Sequence, residues 1–136
     1  MKPYRKLFNN SFQRVIVPNP NGFYSRFYQL LVSADPRIKE LFVATDMNRQ
    51  IEILTQSMTY MMSFSATLES NDEIEKIAEL HNKDNLDIHP EYYDIWFDCM
   101  LQAVKEFDSK YDEHIETSWR VMMAPGLEYM KSSSHG

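Results

Sequence analysis

Phe23-Tyr24-Ser25-Arg26-Phe27-Tyr28-Gln29-Leu30-Leu31-Val32-Ser33-Ala34-Asp35-Pro36-Arg37-Ile38-Lys39-Glu40-Leu41-Phe42 is the stretch whose reading decides the fold. Phe23, Phe27, Leu30 and Leu31 recur at the spacing of one buried helical face. Asp35-Pro36 then reads as an N-cap followed by a proline at the first helical position, where the missing N–H costs nothing. A helix starting near Pro18-Asn19-Pro20-Asn21-Gly22 and reaching about Ala34 therefore gives way at once to a short one that ends near Phe42.

The same spacing extends in both directions. Upstream it predicts a helix from Tyr4 to Ile16, with Leu7, Phe8, Phe12 and Val15 along one side. Downstream, Thr45 and Asp46 are cap candidates for a long helix to about Leu68, carrying Met47, Gln50, Ile51, Leu54, Met58 and Met61. Ser70-Asn71-Asp72-Glu73 opens a shorter helix with Ile74, Ile77, Ala78 and His81 near one face, and Asn82 to Ile88 reads as a polar loop. Pro90 opens an amphipathic helix whose inward stripe is Tyr93, Trp96, Phe97, Met100, Leu101 and Val104. A last helix is expected from Asp112 to Met130, with Ile115, Trp119, Met122 and Met123 inward and a kink at Pro125-Gly126. Only three glycines in 136 residues fit this picture. The fold class read from the sequence is all-α, one domain over 1–131 followed by a disordered tail over 132–136.

Composition excludes several function classes. A net charge of −6 opposes phosphate backbones and anionic surfaces, so nucleic acid is not an expected partner. No apolar run approaches the roughly 20 residues that cross a bilayer. Met1-Lys2-Pro3-Tyr4-Arg5-Lys6 is basic but is not followed by the apolar core of a secretory signal, so a cytoplasmic location is expected. The single cysteine, Cys99, rules out an intramolecular disulfide and a cysteine-cluster metal site, and its apolar helix marks it as core. His89, His114 and His135 share no metal spacing with carboxylates and read as surface residues. Glycine-rich phosphate loops and serine–histidine elbows are absent.

Four residues carry the chemistry. His81 stands at the end of its short helix. A neutral imidazole there can place Nε2 on an iron while Nδ1 donates to a carbonyl one turn earlier. It can equally be a half-buried histidine stabilised by the helix dipole. Gln50 and Leu54 share one face of the long helix, and Gln50 either finds amide partners within the apolar stripe or reaches water from its edge. Tyr28 is a donor or an amphipathic core tyrosine with its hydroxyl at the surface. Phe42 is a plug in the core or the floor of a site. Taken one at a time, the ordinary reading of each is the stronger.

Their spacing changes this. The segments Phe27-Tyr28, Pro36 to Leu41-Phe42, Gln50-Ile51-Glu52-Ile53-Leu54 and Ile77-Ala78-Glu79-Leu80-His81 resemble the globin family, most closely bacterial single-domain globins and the globin half of flavohaemoglobins. The resemblance covers Phe23 to about Met130. It implies a globin fold with helices packed around a pocket for haem b (iron protoporphyrin IX). In it His81 is the proximal iron ligand, Phe42 stacks on the haem, and Tyr28 and Gln50 are the distal donors. Leu54, Ile77, Ile88, Trp96 and Met122 or Met123 are apolar walls. Tyr93 matches a tyrosine that tunes the proximal histidine, and Glu128 is the candidate for the carboxylate completing that network. The familiar distal histidine is absent, since position 50 is glutamine.

The resemblance implies binding of dioxygen, nitric oxide or carbon monoxide at an iron with one position open. Two donors favour dioxygen and predict its slow release. Nitric oxide dioxygenation and a pseudo-peroxidase role are the enzymatic readings it leaves open. Both need a separate reductase, because the chain has no room for flavin and nicotinamide modules. The alternatives are a gas or redox sensor acting through a partner protein and a globin-like helical protein without haem. Either a monomer or a homodimer is compatible.

Overall fold

The computed structural model describes residues 4–67 and 90–135, with the backbone alone for 60–67, 90 and 132–135. Its helices are α1 (Tyr4–Val15), α2 (Pro20–Ala34), α3 (Pro36–Leu41), α4 (Met47–Thr67), α5 (Pro90–Phe107) and α6 (Glu113–His135). The helix expected around Ile74 to His81, and the loop after it, lie outside the described residues.

Each start signal acts locally. Asn19 caps α2 by accepting from the Gly22 N–H at 3.1 Å, with Pro20 at the first position. Asp35 caps α3 by accepting from the Arg37 N–H at 2.8 Å, ahead of Pro36. Of the two candidates before α4, Asp46 is the cap, taking the Asn48 N–H at 3.0 Å. Asp112 caps α6 through the Ile115 N–H at 2.8 Å. Each cap satisfies a backbone donor that the first helical turn leaves without a partner.

Packing follows the apolar stripes. α6 lies against α1, α4 and α5, while α2 lies against α3, α4 and α5. Tyr93, Phe97, Met100, Leu101 and Val104 of α5 are buried and Trp96 is half-buried, as their spacing predicts. The stripe of α2 is wider than expected. Tyr24 and Tyr28 are buried beside Phe23, Phe27 and Leu31, and Leu30 is only partly covered. An aromatic ring half a turn off the stripe still reaches the core when helices pack on two sides.

The last helix differs from expectation at its end. It continues to His135, past the end expected at Met130. Adding residues to a formed helix costs only their propensity, and serine is a mild case. Pro125 sits inside this helix and withholds the hydrogen bond that the Val121 carbonyl would otherwise receive.

One polar chain runs through the interior. Trp119 Nε1 donates to Ser11 Oγ at 2.9 Å, and Ser11 Oγ donates to Asp108 Oδ2 at 2.7 Å. Arg14 closes on the same carboxylate through Nε at 2.8 Å and Nη2 at 2.9 Å, and the Lys110 N–H adds a bond at 2.9 Å. Phe8 packs edge-on against Trp119 with centroids 4.7 Å apart. Burial alone would raise the Asp108 carboxyl; the bonds from Arg14, Ser11 and Lys110 outweigh it and hold the group below its ordinary value. The network joins α1, the α5–α6 corner and α6.

Candidate functional site

α2, α3 and α4 bring three of the expected residues together. Tyr28 is 5% exposed, and its hydroxyl points across to α4, where it donates to the Gln50 backbone carbonyl at 3.5 Å. That is long for an O–H···O bond, whose usual range ends near 3.0 Å. As a donor the buried hydroxyl is therefore poorly satisfied. Burial pushes its pKa up to about 12, with a side-chain hydrogen bond from Gln50 opposing. Gln50 itself is half-buried at the edge of the α4 stripe. The expectation that a core tyrosine would put its hydroxyl at the surface does not hold here, because α4 covers it.

Phe42, just after α3, packs against Tyr28 with ring centroids 5.7 Å apart at 68°. Phe27 also packs with Tyr28, at 5.1 Å and 63°, and Trp96 of α5 packs with Phe27 at 5.5 Å and 74°. Leu54 and Tyr93 are buried in the same core, at 5% and 7% exposure. Met123 is fully buried and Met122 half-buried on α6. Glu128 is exposed, with Lys131 Nζ at 3.4 Å. His81, Ile77 and Ile88 lie outside the described residues.

Two features of the packing carry no signal in the sequence. Phe27 is more than a stripe residue, since it links Tyr28 to α5. Arg37 also fastens the α3 start to the α5 start: it donates to Asp35 at 2.8 and 3.1 Å and to Glu91 at 2.7 Å, and lies over the Tyr92 ring at 5.1 Å. The Asp35-Pro36-Arg37 run signals the local cap, but nothing in it signals a partner on another helix. Among the described residues, no group of three His, Cys, Asp or Glu side chains is placed to hold a metal ion. No described helix is long and apolar enough to cross a membrane. Cys99 is buried and its thiol is pushed up to about 11 by burial, in keeping with a core role.

The family model for globins matches residues 25–125, from within α2 to Pro125 in α6. This chain belongs to the globin family. Its globin fold is also that of a crystal structure from Pseudomonas aeruginosa PAO1, a protein described as structurally highly homologous to a human hemoglobin. The two share 28% identity with a TM-score of 0.87, over 96% of this chain and 98% of that one. An uncharacterized globin-like protein of Aquifex aeolicus (strain VF5) is 30% identical over 82 residues, which span 60% of this chain and 58% of that protein. The flavohaemoglobin likeness is not among these matches. Globins typically bind haem, and in this globin the aromatic cluster of Phe27, Tyr28, Phe42 and Trp96 lies between α2, α3 and α5.

Proposed function

We propose that this globin binds haem b and holds dioxygen, or nitric oxide or carbon monoxide, beside Tyr28 and Gln50. The observation that carries the reading is the Tyr28 hydroxyl, buried among aromatic rings with only a 3.5 Å contact to its acceptor. Such a group loses little by turning to a better acceptor, and gains by it. The dry aromatic surroundings fit a flat apolar group, and the donors fit a polar ligand upon it. Haem held there would supply an iron able to take up a diatomic gas.

The residues then divide the work. His81 would hold the iron in this reading, with Ile77 and Ile88 as apolar wall residues and Tyr93 tuning the histidine. Phe42 would pack on the bound haem, while Leu54 and Trp96 would exclude water. Tyr28 O–H and Gln50 side-chain N–H2 donate to the partial charge that dioxygen acquires and carbon monoxide largely lacks. A net gain of about 1 kcal/mol per bond slows release by about fivefold to tenfold each. Retention of this kind suits conversion of nitric oxide with dioxygen to nitrate better than transport, and a separate reductase would return the electron.

The test is spectroscopic and kinetic. The protein mixed with haem should show a strong Soret band that changes in His81→Ala, and Tyr28→Phe with Gln50→Leu should release dioxygen much faster. Failure to take up haem overturns the reading, and unchanged release removes both donors from it.

A further inference from the structure

Two rings pack edge-to-face with Tyr28, Phe27 at 5.1 Å and Phe42 at 5.7 Å. Consecutive residues on a helix point about 100° apart and do not ordinarily face one another. Here the rings of Phe27 and Tyr28 meet, and Phe27 is backed by Trp96 of α5 at 5.5 Å. Phe27 is fully buried and Trp96 half-buried, so the row Trp96–Phe27–Tyr28–Phe42 runs from α5 through α2 to the end of α3. Edge-to-face pairs have a preferred orientation, which a merely apolar contact lacks. The hydroxyl's own tether to Gln50 is long at 3.5 Å. Ring contacts, more than this long donated bond, therefore decide where the hydroxyl sits.

We propose that Phe27 and Trp96 are positioning residues that hold the Tyr28 hydroxyl at the place where it donates to the gas. This rests on the reading of Tyr28 as a donor. The reach of the donor is then set by α5, through two ring contacts, and Trp96 acts on the ligand without touching it. Tyr93 lies one turn earlier on the same helix, so α5 carries both this support and a residue assigned to the proximal side.

Trp96→Leu and Trp96→Phe separate positioning from packing, with Phe27→Leu as a second, more buried site. Each is made in the haem-loaded full chain with Tyr28 and again with Tyr28→Phe. Trp96→Leu should speed dioxygen release about threefold to tenfold, the worth of one weakened hydrogen bond. Trp96→Phe, which keeps a ring edge, should restore the original rate. Once Tyr28 is phenylalanine, Trp96→Leu should speed release by less than half the factor seen with Tyr28 present, that remainder being its loss as a wall of the pocket. Independently of any gas, the Tyr28 phenol, read as the difference in alkaline titration against Tyr28→Phe, should move from about 12 toward 10.0 in Trp96→Leu. Equal acceleration in both backgrounds, or an unmoved titration, overturns the positioning role. If Tyr28→Phe alone leaves release unchanged, the donor reading fails and the proposal fails with it; the titration then shows whether Trp96 holds the ring for another reason.

Discussion

Ser11 Oγ donates to Asp108 Oδ2 at 2.7 Å although 97 residues separate the two along the chain. The same hydroxyl accepts from Trp119 at 2.9 Å, so one serine satisfies a buried indole and a buried carboxylate together. Ser11→Ala leaves Trp119 Nε1 without its acceptor in a region closed to water. The expected cost is about 1–3 kcal/mol, the penalty of an unmade buried bond. Urea unfolding followed by tryptophan fluorescence reads it directly. A change below about 0.5 kcal/mol, the scale of ordinary surface substitutions, would show that the indole finds another partner.

Acid should weaken the fold through Asp108. Its carboxyl is held below the ordinary value of 3.8 in the folded chain, so it contributes stability fully above that pH. The contribution is lost as pH falls below 3.8 and through the folded value. Glu106 is also lowered, by Arg26, but stands exposed where solvent screens the pair. Unfolding midpoints measured from neutral pH downward should therefore drop more steeply in the native chain than in Asp108→Asn, which starts less stable.

Alkali acts through Tyr28. Its pKa is raised by burial from 10.0 to about 12, so the neutral phenol stabilises the fold below 10.0. That advantage disappears as pH rises toward 12, because the unfolded chain ionises first. Tyr28→Phe removes the term, and its stability should fall less steeply across this window. The matching sign in absorbance is the loss of one late-titrating phenol.

Gly22→Ala should destabilise α2, against the usual gain from replacing glycine in a helix. A Cβ at position 22 would stand 2.4 Å from Asn19 Nδ2 and 2.9 Å from its Cγ. The side chain that must move is the cap itself. Losing the cap costs about 0.5–2 kcal/mol, and residue 22 lies in the first turn of α2, where the gain falls short of the interior value of about 1 kcal/mol. Thermal unfolding of Gly22→Ala beside Asn19→Ala separates the causes, since the two losses should not add.

The fold was legible where signals are local. Proline after Asp35, the Phe23–Phe27–Leu31 spacing and the stripe of α5 each act within a turn or two, and the chain folds as they indicate. Tyr28, Phe42 and Gln50 were legible as a set through their spacing, and the structure brings them together. The ring of Phe27 against Trp96, the reach of Arg37 to Glu91, and Asp108 between Arg14 and Ser11 were not. Each joins residues whose separation along the chain carries no periodicity, so only the packed helices reveal the pairing. Ser11 makes the point most sharply, because a serine at the edge of an apolar stripe reads as a surface residue until a carboxylate arrives to meet it.

The interior carboxylate also bears on what may be cut away. The family match begins at residue 25, after α1 has ended, as though the first helix were an accessory. Yet α1 supplies both Ser11 and Arg14 to Asp108, and Phe8 to Trp119. A chain shortened to the matched region would keep Phe27, Tyr28, Phe42 and Trp96 but leave the Asp108 carboxylate without its guanidinium at the corner between α5 and α6. In this globin the amino-terminal helix serves as the counterion of the core, and trimming to the shared domain would remove it.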